Sequence, residues 1–297
     1  RSTLFPYTTL FRSEPLKNAK LDFQLGYMVV RQEQISKIHI GEIHTLLIET
    51  TAVSITAALL SELVKSKVKI IFCDEKRNPV SELLPYYGSH DTSAKIRSQI
   101  TWDDKIKGDI WTEIVKEKIR QQANFLKHLG KSEYKLLLSY IDEIEFADFT
   151  NREGHAAKVY FNALFGMAFT RGADNAVNAA LNYGYSIILS TFTREIAANG
   201  YLSQLGLFHN NMFNPFNLAS DLMEPFRIIV DKKVVDEKFE TFMAEDKRRI
   251  LDMLNETVNI NARVENLQNA IKIYCKSVFD AVENKDISEL KFYNYEL

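Results

Sequence analysis

The chain is poor in glycine, proline and cysteine, and each shortage excludes a class of protein. With 11 Gly and 6 Pro among 297 residues, it does not fit a collagen-like or low-complexity composition. The two cysteines, Cys73 and Cys275, are far apart and form no CxxC pair, so neither a disulfide framework nor a structural zinc site is predicted. No run of about 20 apolar residues is present, and a membrane-spanning helix is therefore not expected. Isolated thiols suit a reducing cytoplasm.

An excess of positive charge is also missing. The chain has 37 Lys and Arg against 39 Asp and Glu, a formal net charge of −2. Nucleic-acid-binding proteins are usually basic, so charge alone does not predict DNA binding. A DNA-binding surface in this chain would have to come from local clustering of basic residues, from a partner or from a metal ion.

The first thirteen residues, RSTLFPYTTLFRS, look foreign to the rest of the chain. They lack an initiator Met and contain the tripeptide TLF twice. They have no long apolar region or small-residue cleavage site, so a signal peptide is not predicted. The segment resembles translated sequencing-adapter read-through. We therefore interpret residues 1–13 as non-native and leave them out of the predicted fold.

Residues 14–75 are predicted to form an N-terminal β-rich domain. Short runs rich in β-branched and aromatic residues predict strands at 27–31, 36–40, 45–49 and 69–73. Apolar residues from Ile55 to Val64 follow the helical period, and Ser54 is the predicted cap of that helix. Residues 76–90 contain two prolines and several charges and are interpreted as a linker.

Residues 91–297 show helical periodicity almost throughout. Helices are predicted at 94–129, 156–169, 176–198 and 247–282. The predicted fold class is therefore α+β, with a small N-terminal β-rich domain followed by a larger all-helical C-terminal domain, the expected catalytic domain.

The first candidate site segment is NREGHAAKVYFNALFG, residues 151–166, which is predicted to begin a helix. Glu153 follows Thr150 at the spacing of a capping box, in which its carboxylate accepts a hydrogen bond from the backbone N–H of Thr150. On this segment alone, capping and metal binding both stay open for Glu153. His155 lies about 200° further round the helix and is not expected to share the face of Glu153.

The second candidate segment is GLFHNNMFNPFNLASDLMEPFR, residues 206–227. It places His209 in an Asn-rich stretch ahead of a helix. Asp221 and Glu224 are three residues apart, so both carboxylates are predicted to project from one side of that helix, where they repel each other unless a cation is present. Pro225 cannot donate to the carbonyl of Asp221, which predicts a kink beside the acids. The alternative is a solvated acidic face with one core or surface histidine.

These residue types favour one kind of metal site. Oxygen ligands with one imidazole suit Mg²⁺ or Mn²⁺, whereas zinc sites usually contain Cys or several His. No HExxH, GxxxxGK[ST] or GxSxG motif occurs in the chain, so zinc peptidases, P-loop nucleotidases and serine hydrolases lack their usual signatures. Composition and spacing lead to a candidate Mg²⁺ or Mn²⁺ site and no further.

The two segments together resemble the Cas1 integrase family, in the form found in type II CRISPR systems. Further stretches that carry the resemblance are LLIETTAVSITAALLSELVKSKVKIIFCDEKR, ELLPYYGSHDTSAKIRSQITWDD and NAALNYGYSIILSTFTRE. The similarity extends from about residue 20 to at least residue 232 and weakens beyond. It implies an N-terminal β-domain and a helical C-terminal domain, in agreement with the periodicity.

The resemblance also implies an assembly and a ligand set. Family members form homodimers, and two dimers flank a dimer of Cas2 in a complex that captures prespacer DNA and inserts it at the repeat beside the CRISPR leader. Cas9 and Csn2 are further partners implied for a type II system, and the expected location is the prokaryotic cytoplasm. Motif alignment assigns the catalytic and metal-binding roles to Glu153, His209 and Glu224, with Asp221 as a second candidate ligand.

The implied reaction is a metal-dependent transesterification, in which a prespacer 3′-OH attacks a phosphodiester of the repeat without ATP. Mg²⁺ or Mn²⁺ would polarise the phosphate and lower the pKa of the attacking hydroxyl. His209 would bind the ion as neutral imidazole, so activity is expected to fall as it protonates. Two alternatives stay open, namely a hydrolytic metal-dependent DNA nuclease and a non-catalytic helical scaffold. Arg227 could contact phosphate or form a salt bridge.

The N-terminus departs from the family pattern. Family chains open with a short apolar strand, and residues 1–13 stand roughly where that strand should be. We therefore expect an unpaired sheet edge in the β-domain, which would affect its stability or the dimer geometry.

Overall fold

The computed structural model describes residues 9–12, 19–75, 79–83 and 89–295. The chain divides into two compact units, Arg1–Gly88 and Ser89–Leu297. The first is rich in strands and the second is mainly helical. This order of elements confirms the predicted α+β class.

The described part of the N-terminal unit holds two four-stranded sheets and a helix. One sheet has the strand order β4-β3-β2-β6 and the other β1-β5-β7-β8. In chain order the elements are β1 (Thr9–Arg12), β2 (Ala19–Gln24), β3 (Tyr27–Arg31), β4 (Ile35–His39), β5 (Ile43–Ile48), β6 (Val53–Ile55), α1 (Ala57–Lys65), β7 (Lys69–Cys73) and β8 (Pro79–Leu83).

Local chemistry explains the turns and caps of this unit. β2 and β3 form an antiparallel hairpin in which Leu25 and Gly26 both have positive φ, the geometry that suits the twist of the strands. Thr56, not the predicted Ser54, caps α1 by accepting from the N–H of Leu59 at 3.3 Å, because Ser54 still belongs to β6. The core contains apolar residues of both sheets and of α1, among them Leu21, Met28, Leu46, Leu59, Leu63 and Ile70.

Two segments that were expected to lie outside the domains contain strands. β8 falls within the predicted linker 76–90 and pairs antiparallel with β7, while residues 76–78 and 84–88 of that linker lie outside the described residues. β1 falls within residues 1–13 and pairs in parallel with β5. The edge that we expected to be unpaired thus carries a strand, because the open main-chain groups of β5 accept an extended segment. The foreign origin of residues 1–13 stays a prediction from their sequence.

The C-terminal unit is built around a long central helix, α3 (Asp104–His128). Its residues Trp111, Ile114, Ile119 and Phe125 are fully buried. The other helices of the unit are α2 (Thr92–Ile100), α4 (Tyr134–Asp142), α5 (Arg152–Phe165), α6 (Ala176–Ala198), α7 (Asn217–Leu222), α8 (Arg227–Glu237), α9 (Ala244–Leu251) and α10 (Leu267–Asn284). α3 contacts α4, α5, α8 and α10. None of the helices in the described ranges has the length and apolarity needed to cross a membrane.

Two of the predicted helices are interrupted. The segment 94–129 divides into α2 and α3, where the side chain of Asp103 caps α3 by accepting from the N–H of Lys105. The segment 247–282 contains strands β9 (Thr257–Ile260) and β10 (Arg263–Asn266), which with β11 (Tyr293–Asn294) form a sheet of order β10-β9-β11. Asn261 and Ala262 both have positive φ in the turn. The domain predicted to be all-helical thus includes a small sheet.

Candidate active site

Glu153 lies in the first turn of α5, where other residues cap the helix. Asn151 is the N-cap, and the carboxylate of Asp148 accepts from the backbone N–H groups of Arg152 and Glu153 at 2.8 and 3.0 Å. The hydroxyl of Thr150 finds no hydrogen-bond partner among the described residues. The capping-box interpretation of Glu153 is therefore wrong, and its carboxylate is left for another partner.

That partner is Lys118, a buried lysine on α3. Its Nζ donates to Oε1 of Glu153 and, at 2.5 Å, to Oε2 of Glu224. Arg227 Nε donates to the same oxygen of Glu224 at 2.9 Å. The ion pair with Glu224 is one of the two roles that the sequence left open for Arg227. Two carboxylates from separate helical segments thus meet at one internal cation.

The buried charges at this point hold one another in the ionised state. Burial alone would raise the pKa of Glu224, but Arg227 and Lys118 outweigh it and lower the pKa to about 2. Burial alone would lower the pKa of Lys118, but Glu224 and Glu153 outweigh it and raise the pKa. Carboxylate and ammonium therefore both stay charged at neutral pH.

His209 lies in the loop between α6 and α7 and is oriented by Asp221. Oδ1 of Asp221 faces His209 Nδ1 at 2.5 Å and accepts from the His209 backbone N–H at 3.2 Å. Its Oδ2 accepts from the backbone N–H groups of Leu207 and Phe208 at 2.7 and 3.0 Å. With Nδ1 as the donor, the lone pair of Nε2 is directed away from Asp221 and can bind a metal.

The loop that carries His209 is fixed by close packing. A Cβ at Gly206 would lie 2.3 Å from the carbonyl oxygen of His209 and 2.7 Å from Oδ2 of Asp221, so only glycine fits there. Asn217 Nδ2 donates to the carbonyl oxygen of Asn211 at 3.0 Å. The ring of Trp111 meets that of His209 edge-on, with 5.6 Å between centroids. Hydrogen bonding within the Asn-rich stretch therefore stabilises one conformation of the loop.

Asp221 and Glu224 do not form the paired acids that their spacing predicted. Helix α7 ends at Leu222, and residues Glu224–Phe226 form a 3-10 helix that includes Pro225. The break, which the proline predicted, turns Glu224 towards Lys118 while Asp221 stays buried against the loop. The four contacts of Asp221 make it a residue that orients His209. Glu224 instead faces the position that the ammonium of Lys118 occupies between the two glutamates, which we call the cation position.

The donor types at this site suit a hard divalent cation. Glu153 and Glu224 supply carboxylate oxygens, and His209 lies close enough that both carboxylates contribute to raising its pKa, after the larger effect of its bond to Asp221. Carboxylates with one imidazole fit Mg²⁺ or Mn²⁺. As they stand, however, no three His, Cys, Asp or Glu side chains in the described ranges form a group that could hold a metal ion. The ammonium of Lys118 lies between the two carboxylates instead.

A cavity of about 150 Å³ borders the two carboxylates. Three basic and three acidic side chains line it, namely Lys118, Arg171, Arg227, Glu153, Glu224 and Asp231. The guanidinium of Arg227 lies 4.6 Å from the ring centroid of Tyr185, and the Tyr185 hydroxyl donates to Asp231. Burial raises the pKa of Asp231 to about 6. Above that pH the six charges cancel.

Lys118 is the site residue that sequence patterns did not indicate. Lysines on long helices usually lie in solvent, and the charges around it in EKIRQQ favour that interpretation. One signal was available: Lys118 follows Ile114 by four residues and precedes Gln122 by four, and both are buried. Helical spacing therefore places Lys118 in the buried stripe of α3.

Comparison with known proteins gives both a family and a fold. The family model described as "CRISPR associated protein Cas1" matches residues 17–241. The CRISPR-associated endonuclease Cas1 of Neisseria meningitidis serogroup C (strain 8013) is 37% identical over 228 residues, 76% of this chain and 75% of that protein.

Two solved structures share the fold at low sequence identity. A casposase bound to integration product has a TM-score of 0.73 and 17% identity, covering 91% of this chain and 89% of that one. A Cas6-RT-Cas1–Cas2 complex has a TM-score of 0.71 and 15% identity, covering 92% of this chain and 35% of that one. The family model and the Neisseria relative confirm the resemblance carried by the segments around Glu153 and His209: the chain belongs to the CRISPR-associated Cas1 family.

Proposed function

We propose that this protein is a metal-dependent integrase of CRISPR adaptation, which joins the 3′-OH ends of prespacer DNA to the CRISPR repeat by transesterification. The observation that carries the proposal is the meeting of Glu153 and Glu224 at one cation position, with His209 oriented beside them. The endonuclease name of the Neisseria relative supports phosphodiester chemistry. The casposase, bound to an integration product, favours strand transfer over simple hydrolysis.

Each side chain has a role that follows from its contacts. When bound, Mg²⁺ or Mn²⁺ supplies Lewis acidity to the scissile phosphate and favours ionisation of the attacking hydroxyl. Glu153 and Glu224 provide the negative charge that retains such an ion, and Asp221 keeps the Nε2 lone pair of His209 available. Arg227 holds Glu224 in place. Because one phosphodiester is exchanged for another, no ATP is required.

The cavities beside the carboxylates suit a nucleic acid. Arg171 and Arg227 line the smaller cavity, and guanidinium groups can bind phosphate with two parallel hydrogen bonds. A second cavity of about 630 Å³ also borders Glu153 and is lined by Phe146, Phe149 and Phe208. Aromatic faces of this kind can stack unpaired bases. Double-stranded prespacer and leader–repeat DNA are the proposed substrates.

The proposed assembly is a homodimer that pairs with a Cas2 dimer to form a heterohexamer. The Cas1–Cas2 complex among the fold neighbours supports a Cas2 partner. Cas9 and Csn2 stay predictions from the type II resemblance. Light scattering of the protein alone and mixed with Cas2 measures both steps, and a monomer that does not bind Cas2 would contradict the proposed assembly.

A strand-transfer assay tests the reaction. Labelled prespacer with 3′-OH ends, a leader–repeat duplex, Cas2 and Mn²⁺ are expected to give a joined product of higher mass, and prespacer with 3′-deoxy ends to give none. Glu153→Gln, His209→Ala and Glu224→Gln are expected to reduce the product by about 100-fold or more, as loss of catalytic or metal-ligand groups typically does. Glu245→Gln, at an exposed glutamate paired with Arg248, is the matched control.

The alternatives give different products. A hydrolytic nuclease would cut the duplex with Mn²⁺ and leave no joined product even when 3′-OH ends are supplied. A helical scaffold would give neither product, and the three substitutions would leave Mn²⁺ binding unchanged. Either result would contradict the integrase proposal.

A further inference from the structure

Lys118 occupies the position between the two carboxylates that a divalent ion needs. We propose that its ammonium is a built-in counter-ion of the site, which holds Glu153 and Glu224 together before metal loading and must leave when a divalent cation binds. The inference rests on the proposed metal-dependent function and deepens it, because it makes Lys118 the residue that controls how tightly the site retains its metal.

Burial and hydrogen bonding explain why the ammonium lies there. Lys118 and Glu224 are both almost completely buried, with side-chain exposures of 8% and 5%. Two carboxylates brought together in such surroundings repel each other, and an unpaired buried charge is strongly destabilising. Lys118 meets this need by donating to both carboxylates at once. The ammonium of Lys118 therefore compensates the charge of both carboxylates.

Electrostatics then forces an exchange. Glu153 and Glu224 carry two negative charges, and Lys118 and Arg227 carry two positive charges. A divalent cation added to this set would meet a site that is already neutral, with an ammonium on the same oxygens. Coulomb repulsion between close cations is large in a buried site. If the ammonium stayed, the two carboxylates, Lys118, Arg227 and a divalent ion would carry a net charge of +2, whereas departure of the ammonium lowers this to +1 and frees the carboxylate oxygens for the ion.

The structure offers the side chain a place to go. Lys118 lines the cavity of about 150 Å³ that also contains the carboxyl of Asp231. Lysine has a flexible four-carbon stem, whereas arginine is planar and binds carboxylate through a rigid fork. Arg227 is not required to move, since it contacts only Glu224 of the two carboxylates.

Metal binding to the full-length protein tests the exchange. Mn²⁺ affinity is measured by titration calorimetry for the wild type and for Lys118→Met, with thermal unfolding in EDTA as a second readout. Lys118→Met is expected to bind Mn²⁺ at least about tenfold more tightly, the change expected when even one charge-assisted hydrogen bond no longer has to be broken. In EDTA the variant is expected to unfold at a lower temperature than the wild type, and saturating Mn²⁺ should restore its unfolding temperature.

Two further variants keep the test decisive. Lys69→Met removes the buried lysine that pairs with Glu82 in the N-terminal unit, so it is expected to lower the unfolding temperature without changing Mn²⁺ affinity. Lys118→Arg keeps a cation with a stronger hold on carboxylates, so it is expected to bind Mn²⁺ at least about tenfold more weakly than the wild type. If Lys118→Met does not fold, the Lys118→Arg result decides.

The outcomes separate this inference from the proposed function. If the wild type binds Mn²⁺ and Lys118→Met binds it equally or more weakly, the exchange is overturned while the metal-dependent function stands. An unchanged Mn²⁺ affinity in Lys118→Arg would likewise overturn the exchange and leave the metal-dependent function standing. If none of the proteins binds Mn²⁺, both the exchange and the metal-dependent function are overturned.

Discussion

Replacing Asp221 with Asn is a sharp test of how the site is organised. The substitution changes one oxygen to an NH₂ group at a fully buried position, with almost no change in size. Asp221 accepts from three backbone N–H groups and faces Nδ1 of His209. In Asp221→Asn the NH₂ group is itself a hydrogen-bond donor, so on one side of the amide it has to face groups that donated to the carboxylate oxygen.

The contacts predict which half that is. If the NH₂ faced Leu207 and Phe208, two backbone N–H groups would lose their acceptor, whereas His209 can adapt by exchanging tautomers. The NH₂ is thus expected to donate to Nδ1 of His209, which moves the ring proton to Nε2. Only the N–H of His209 is left unpaired, at a cost of about 1–3 kcal/mol. For a protein of this size that lowers the unfolding temperature by roughly 5 °C.

The change of tautomer is expected to affect metal binding more than folding. Protonated Nε2 cannot bind a cation, so Mn²⁺ affinity is predicted to fall by about 10–100-fold, the usual effect of losing a residue that orients a ligand. The pKa of His209 is predicted to fall, because the hydrogen bond to Asp221 is the main cause of its raised pKa. Histidine ¹H–¹⁵N spectra at alkaline pH identify the tautomer directly. The chain has 6 His, and those other than His209 serve as internal controls. Retention of the wild-type tautomer in Asp221→Asn would refute this account of the site.

Two other predictions concern the packing and the buried charge around the site. Gly184→Ala on α6 would place a Cβ 2.4 Å from Cγ1 of Val230, so chemical unfolding should show a loss of about 1–3 kcal/mol, whereas Gly172→Ala, with open space around it, should cost little. Burial raises the pKa of Asp231 from 3.8 to about 6, so the folded state loses stability as the pH rises from about 4 to about 6 and the loss stays constant at higher pH. Relative to the wild type, Asp231→Asn should therefore gain about 2–3 kcal/mol between pH 4 and pH 7.5 in urea titrations, and a pH-independent difference would contradict the assigned burial effect.

Strand and helix positions could be predicted where burial and periodicity agree. The strands expected at 27–31 and 69–73 coincide with β3 and β7, because both are apolar β-branched runs. Strands β9 and β10 were mistaken for helix, since a strand of four residues such as Thr257–Ile260 is too short to show a period of its own. The missed signal was Asn261, because asparagine favours the positive φ that the turn between the two strands requires at Asn261 and Ala262. β8 was missed because Pro79 at its first residue was taken for a linker signal, although proline is tolerated at the start of a strand.

The sequence predicted which residues belong to the candidate site, but it did not predict the contacts that they make. Glu153, His209 and Glu224 came from the family resemblance, and the structure gives Glu153 and Glu224 a common partner, Lys118. The i, i+3 spacing of Asp221 and Glu224 was misleading because Pro225 ends the regular helix before the second acid. A tertiary contact between distant segments leaves no local pattern, so helical spacing could place Lys118 in the buried stripe of α3 but could not identify the carboxylates that it contacts.

The net charge of −2 does not by itself favour DNA binding, and the proposed exchange of Lys118 for a metal ion reconciles this charge with the proposed function. The three basic and three carboxylate side chains of the smaller cavity carry three positive and three negative charges above pH 6, so the metal-free site offers no net attraction to a phosphate. Under the proposed exchange, a divalent cation adds two charges and moves the ammonium of Lys118 away from its carboxylates. Positive potential at the site is then created by metal loading and not by composition. The affinity for DNA at this site is consequently expected to change more steeply with the concentration of the divalent cation than the effect of ionic strength alone predicts.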